Sequence, residues 1–95
     1  MFSLNKKKNS KAAAVIDIGS NLIKMRISQL KKGEIIELDR LEYPLGLGHE
    51  VFTNGKISFE SLRILSQILR GYAEVMEEYG ITQYRVVATT ALREA

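Results

Sequence analysis

Ala14-Val15-Ile16-Asp17-Ile18-Gly19-Ser20-Asn21 decides how this chain is read. An apolar run ends in an acidic residue and then in a Gly-Ser-Asn corner. The run suits a buried strand. The corner puts a carboxylate, two polar side chains and a row of backbone N–H groups at the strand's end. Such N–H groups can cradle a phosphate, and a carboxylate beside them can hold a magnesium ion directly or through water. The plainer alternative is a hairpin turn in which Asp17 caps backbone N–H groups.

Outward from this corner the pattern stays strand-like. Residues 12–18 form the first strand. Residues 22–30 form a second, with Ile23, Met25 and Ile27 on one face and Lys24, Arg26 and Ser28 on the other. Lys31-Lys32-Gly33 makes a turn. A third strand runs from Glu34 to about Leu41, where Ile36 and Leu38 alternate with Glu37 and Asp39, and Pro44 ends its clean pattern. Leu45 to Lys56 reads as a glycine-bearing loop with an Asn54-Gly55 turn.

Ser58 is an N-cap, with Glu60 in the first turn beyond it. Leu62, Leu65, Leu69, Tyr72, Met76 and Tyr79 then recur at helical spacing, widened by Ile68, and Arg63, Gln67, Arg70, Glu74 and Glu77 lie opposite. The Met and Tyr positions are core at this spacing rather than a binding stripe. Gly80 closes the helix as its C′ residue. Residues 84–88 are a fourth strand. Thr89-Thr90 end it, and Thr90 caps a further helix that begins at Ala91.

The predicted order is β-β-β-α-β-α, an α/β fold with a mixed sheet. The last helix is one turn long and one sheet edge is open, so the sequence reads as the first part of a larger domain. The open edge suits pairing with a second copy of the chain.

Composition narrows the class. The chain has 95 residues, 45% of them hydrophobic, enough for one small domain and too apolar for a disordered segment. Such a chain buries only about 60–65% of its unfolded surface. No cysteine is present, which fits a cytoplasmic protein. No apolar run reaches the ~18 residues of a membrane span. Much of the net charge of +3 lies in residues 1–11, which include Lys6-Lys7-Lys8. This basic tail reads as disordered and solubilising, or as a weak attraction to polyanions. Elsewhere the charges are mixed, without the basic stripe of a specific nucleic-acid surface.

Three segments carry candidate chemistry. Asp17 is the candidate metal ligand, and Gly19, Ser20 and Asn21 are candidate phosphate contacts. At the close of the fourth strand, Thr90 offers a helix N-terminus to an anion, and Arg93 can fork onto phosphate oxygens. The plain alternative there is a capped helix with a solvated arginine. His49 and Glu50 lie in the glycine loop, where a lone histidine is a surface residue. There is no zinc cluster, Walker loop or serine nucleophile elbow.

Asp17-Ile18-Gly19-Ser20-Asn21, together with Val87-Ala88-Thr89-Thr90-Ala91-Leu92-Arg93-Glu94-Ala95, resembles the N-terminal part of the exopolyphosphatase / guanosine pentaphosphate phosphohydrolase (Ppx/GppA) family. Leu45-Gly46-Leu47-Gly48 and Asn54-Gly55-Lys56-Ile57-Ser58 also resemble the family's glycine loop. The first motif alone is shared with sugar kinases, actins and heat-shock ATPases, all of the ribonuclease-H-like fold. The second motif is the specific one. Position 22 is Leu, where the family often has a small polar residue.

The resemblance implies that residues 12–95 are the first part of a ribonuclease-H-like domain. The parent would be a Mg²⁺-dependent cytoplasmic hydrolase acting on inorganic polyphosphate or guanosine pentaphosphate. Its phosphates would be held by Gly19, Ser20, Asn21, Thr90 and Arg93, and its metal by Asp17. The family's catalytic glutamate falls beyond Ala95, so no catalytic residue is expected in this chain and no activity from it alone. A kinase or actin-like ATPase of the same fold remains an alternative, as does a non-catalytic interaction module.

Overall fold

Alternation of apolar and polar residues sets the centre of the sheet. The computed structural model describes residues 12–89. In β1 (Ala12–Ile18), Ala12, Ala14 and Ile16 are buried while Ala13 and Val15 are exposed. In β2 (Leu22–Lys31), Ile23, Met25 and Ile27 are fully buried, as the period of two requires. Lys32 and Gly33 turn the chain with φ of 53° and 79°. Two successive positive φ values match the right-handed twist of the strands they join.

β3 (Glu34–Pro44) runs farther than its sequence suggests. Pro44 is its final residue, and β3 is an edge strand, where a missing N–H costs little. The alternation also breaks. Ile27 faces Asp39 and Ser28 faces Glu37, so Leu38 is an extra, bulged residue. The bulge resets the parity. Asp39, expected opposite to Leu38, lies on the side of Ile27, where its Oδ2 accepts a hydrogen bond from the Tyr79 hydroxyl at 3.0 Å.

The expected loop 45–56 contains a helix, α1 (Leu47–Asn54). Leu47 is fully buried, and Gly55 closes the helix in the left-handed region at φ 75°. The Asn-Gly pair that reads as a turn is this helix's end.

α2 (Phe59–Tyr79) begins and ends as its sequence predicts. Ser58 is extended, and its Oγ accepts from the Ser61 N–H at 3.1 Å. At the other end, Gly80 N–H donates to the Glu77 carbonyl and Ile81 N–H to the Met76 carbonyl. That is the paired bonding of a Schellman close. Ile68, Tyr72 and Met76 are buried, with Ile64, Leu65, Leu69, Val75 and Tyr79 packed around them. Leu62 departs from the expected stripe and is 44% exposed. The Tyr72 hydroxyl donates to the buried Ile23 carbonyl and so ties helix to sheet.

β4 (Tyr84–Ala88) returns parallel to β1, and the sheet order is β3-β2-β1-β4. The sheet is mixed, as expected, with α2 as the crossover. The described order is β-β-β-α-α-β, because α1 was not foreseen. The core lies between α2 and the face carrying Ile16, Ile23, Met25 and Ile27. On the opposite face Val15 and Val87 remain 44% and 40% exposed. The basic tail, Thr90, Arg93 and the expected last helix lie outside the described residues. No helix among the described residues is long and apolar enough to cross a membrane.

Candidate functional site

The corner after β1 is held by backbone bonds that fix what it can offer. Gly19 N–H donates to the Leu22 carbonyl at 2.9 Å and closes the turn. A Cβ on Gly19 would lie 3.1 Å from that same oxygen. Gly19 is therefore needed for the shape of the corner, and its N–H is already committed. The N–H groups of Ser20 and Asn21 have no acceptor among the described residues, and neither do their side chains. These groups are the donors an anion could use.

α1 docks directly on the corner. Gly48 N–H donates to the Ser20 carbonyl and Leu45 N–H to the Asn21 carbonyl, each at 2.9 Å. A Cβ on Gly48 would stand 2.6 Å from Ser20 Cβ and 2.9 Å from its Oγ. Only a glycine permits this approach. Between corner and helix lies a hollow of about 560 Å³, lined by Ser20, Asn21, Gly48, His49, Val51, Phe52 and Gly55. Sequence reasoning placed His49 on a surface loop. It is exposed, but on a helix that walls the corner.

Parallel pairing brings the second corner alongside the first. Ile18 faces Ala88, and Thr89 N–H donates to the Ile18 carbonyl at 3.3 Å. Thr89 Oγ1 is shielded from water and lacks a partner among the described residues. Such an orphaned hydroxyl is uncommon and calls for a partner. Thr90 and Arg93, the expected contacts of this corner, fall outside the described residues.

Asp17 sits one residue before the end of β1, directly across from Lys24 on β2 and Val87 on β4. Its carboxylate is on the face away from α2. No ion pair is made to it among the described residues. Lys24 lies on the polar face of β2 that its alternation predicts, and the antiparallel register of β1 and β2 sets it beside Asp17. Among the described residues no three His, Cys, Asp or Glu side chains gather into a metal cage. Magnesium commonly takes only one or two carboxylates and completes its shell with water and substrate phosphate. A single Asp17, which lines a hollow with Lys24, Arg26 and Arg40 and precedes the free donors of Ser20 and Asn21 in the chain, fits that donor set.

Glu50 has a structural task. Its carboxylate accepts from Ser58 N–H at 3.2 Å and from Ser58 Oγ at 2.9 Å, so α1 clamps the start of α2. The Ser58 backbone N–H, followed by the Ser58 and Ser61 side chains, holds its carboxyl below the usual glutamate range. A lowered folded-state pKa means that the stabilisation is present above the unfolded value, ~4.3. It is lost as pH falls through the lower folded value. Urea midpoints measured from pH 7 down to pH 3 are expected to fall less steeply for Glu50→Gln than for the wild type. Parallel curves would show that the clamp carries no linked proton.

No family model matches the sequence. Solved structures do match. A Ppx/GppA family member from Aquifex aeolicus superposes with a TM-score of 0.83 at 28% identity, over 88% of this chain and 28% of its own. An exopolyphosphatase-like protein superposes with a TM-score of 0.81 at 31% identity, over 92% of this chain and 27% of its own. An exopolyphosphatase from Cytophaga hutchinsonii, at 23% identity and a TM-score of 0.81, shares the fold. The chain thus spans little more than a quarter of the length of these structures and lies almost wholly within their likeness. Its mixed sheet and helices match the actin-like, ribonuclease-H-like N-terminal domain of the Ppx/GppA family.

Proposed function

We propose that this chain supplies the first phosphate-binding corner of a Ppx/GppA-type phosphoanhydride hydrolase. The observation that carries the reading is the corner itself. Ser20 and Asn21 keep free N–H groups and side chains at the carboxyl end of β1, with the Asp17 carboxylate three residues before. The carboxyl ends of adjacent parallel strands are where α/β sheets gather ligands.

In this reading the terminal phosphate of inorganic polyphosphate or guanosine pentaphosphate rests on the Ser20 and Asn21 donors. Gly19 keeps the corner tight enough for that approach. Thr89 lies against the same strand end, and Thr90 and Arg93 hold further phosphates. A magnesium ion at Asp17 would neutralise charge on the phosphoryl oxygens when bound. The residues orient the phosphate for in-line attack by water and stabilise the charge that spreads over its oxygens. Glu50 is not the group that activates this water, because its carboxylate is spent on Ser58. The activating glutamate belongs to sequence beyond Ala95 in this proposal, and the parent works in the cytoplasm.

Incubation of the 95-residue chain with Mg²⁺ and polyphosphate is expected to release orthophosphate no faster than buffer. Calorimetry is expected to detect weak binding of inorganic triphosphate. Robust turnover would remove the claim that the base lies elsewhere, and absence of triphosphate binding would remove the corner as a phosphate site.

A further inference from the structure

α2 and the edge strand β3 do not close fully on one another. Between them lies an apolar groove of about 320 Å³, lined by Leu41 and Tyr43 of β3 and by Ile64, Ile68, Gly71 and Val75 of α2. Cavities of about 150 Å³ take up benzene, so the groove has room for two apolar side chains. Gly71 is the unexplained residue in its wall. A Cβ there would meet nothing within 4 Å, and Gly71 is not among the glycines at positive φ. A glycine inside a helix costs stability relative to alanine. No packing among the described residues accounts for that cost, whereas close approach of a further segment would.

The surface beyond the groove is ordered by charge. Glu74 and Glu78 lie three and seven residues after Gly71, on the same side of α2. Both are exposed and make no ion pair among the described residues. They lead toward the end of the sheet where β1 starts, because α2 runs on into β4, whose Tyr84 pairs with Ala14. Read backward from Ala12, residues 1–11 carry Lys8, Lys7 and Lys6 and then Leu4 and Phe2. From the start of β1, cations thus come where the surface is acidic, and apolar residues where it is apolar. The reach suffices. Ala12 is level with Gln29 and Ile36, and Leu41 is level with Met25, four residues along β2. That is about 13 Å along the strands and about 10 Å across two strand spacings. An extended chain from Ala12 reaches about 26 Å to Leu4 and about 33 Å to Phe2.

We propose that this groove is the docking seat of the chain's own N-terminal segment, with Phe2 and Leu4 against Gly71 and with Lys6, Lys7 and Lys8 along Glu74 and Glu78. Phe2 and Leu4 share one side of an extended chain. Exposed ion pairs contribute little, so burial of these two side chains holds the segment and the lysines set its direction.

Brief trypsin digestion of the intact chain, followed by mass spectrometry, reads the bonds after Lys6, Lys7 and Lys8. Cleavage there is expected to be about tenfold faster in Phe2→Ser/Leu4→Ser than in the wild type, because a docked segment is cut only when it opens. Gly71→Leu, which fills the groove, should accelerate it similarly. Melting curves check that each variant folds, and Gly71→Ala adds a second readout. It should leave the melting temperature of the wild type unchanged or lower it, and raise that of Phe2→Ser/Leu4→Ser, since an empty groove accepts the methyl and a filled one does not. Equal cleavage rates in wild type and variants would overturn the seat. So would a rise from Gly71→Ala that is the same in both backgrounds. Cleavage of the wild type that quickens on dilution would overturn occupation by the chain's own segment and assign the groove to that of a second copy.

Discussion

Gly48→Ala is expected to lower the melting temperature of this chain by roughly 10 °C and to abolish triphosphate binding at the corner. The added methyl would sit 2.6 Å from Ser20 Cβ and 3.2 Å from Ser20 Cα. Neither atom is the free end of a flexible side chain, so the conflict cannot be relieved by a rotamer change. α1 must lift away, and the bond from Gly48 N–H to the Ser20 carbonyl stretches with it. Overpacking of this kind costs about 1–3 kcal/mol. Each kcal/mol moves the melting temperature of a domain this size by roughly 4–8 °C. Gly46→Ala is the control. It lies just before the same helix at φ −83°, a Cβ there meets nothing within 4 Å, and its melting temperature should stay near wild type. If both variants melt alike, the close approach of α1 does not hold the corner.

The same contact explains why α1 was not legible in the sequence. Gly46, Gly48 and the Asn54-Gly55 pair all argue locally for a loop, and an isolated helix of two turns is unstable in water. What fixes it is tertiary. Leu47 enters the core completely, and Gly48 is a glycine because Ser20 is beneath it. Neither fact belongs to the segment itself. Glu50 was unreadable for a related reason, since its partner Ser58 becomes a neighbour only once α1 exists.

Elsewhere the information was local and the sequence carried it. Ile23, Met25 and Ile27 alternate because β2 has a buried and an open face. Ser58 and Gly80 bound α2 because a side-chain acceptor and a residue at positive φ are needed at those points. The bulge at Leu38 sits between these cases. The apolar residues of β3 show that Ile36 and Leu41 differ in parity. Only the register against β2 shows which residue is the extra one. The corner was legible in composition but not in assignment. Gly19 spends its N–H on Leu22, which leaves Ser20 and Asn21 as the donors.

Asp17→Asn is expected to reduce phosphate release by the hydrolase that contains these residues at least ~100-fold, the scale on which removal of one electrostatic stabiliser acts. The fold should be nearly untouched. Asn has the same shape as Asp, and the carboxylate makes no ion pair among the described residues. Lys24 stands directly across the ladder, but the two half-buried side chains form no salt bridge that the substitution would break. A turn-capping Asp17 leads to a different result, a fall in stability with activity falling in proportion. Thermal shift separates the two without an assay of turnover. Mg²⁺ added together with triphosphate should raise the melting temperature of the wild type more than triphosphate alone, because a ligand that binds only the folded state stabilises it by mass action. In Asp17→Asn the Mg²⁺-dependent part should vanish while the part due to triphosphate alone, held by Ser20 and Asn21, persists. Ser20→Ala should show the reverse weighting, a weaker triphosphate shift with Mg²⁺ dependence retained. Loss of both parts in Asp17→Asn would mean that Asp17 shapes the corner rather than holding its metal.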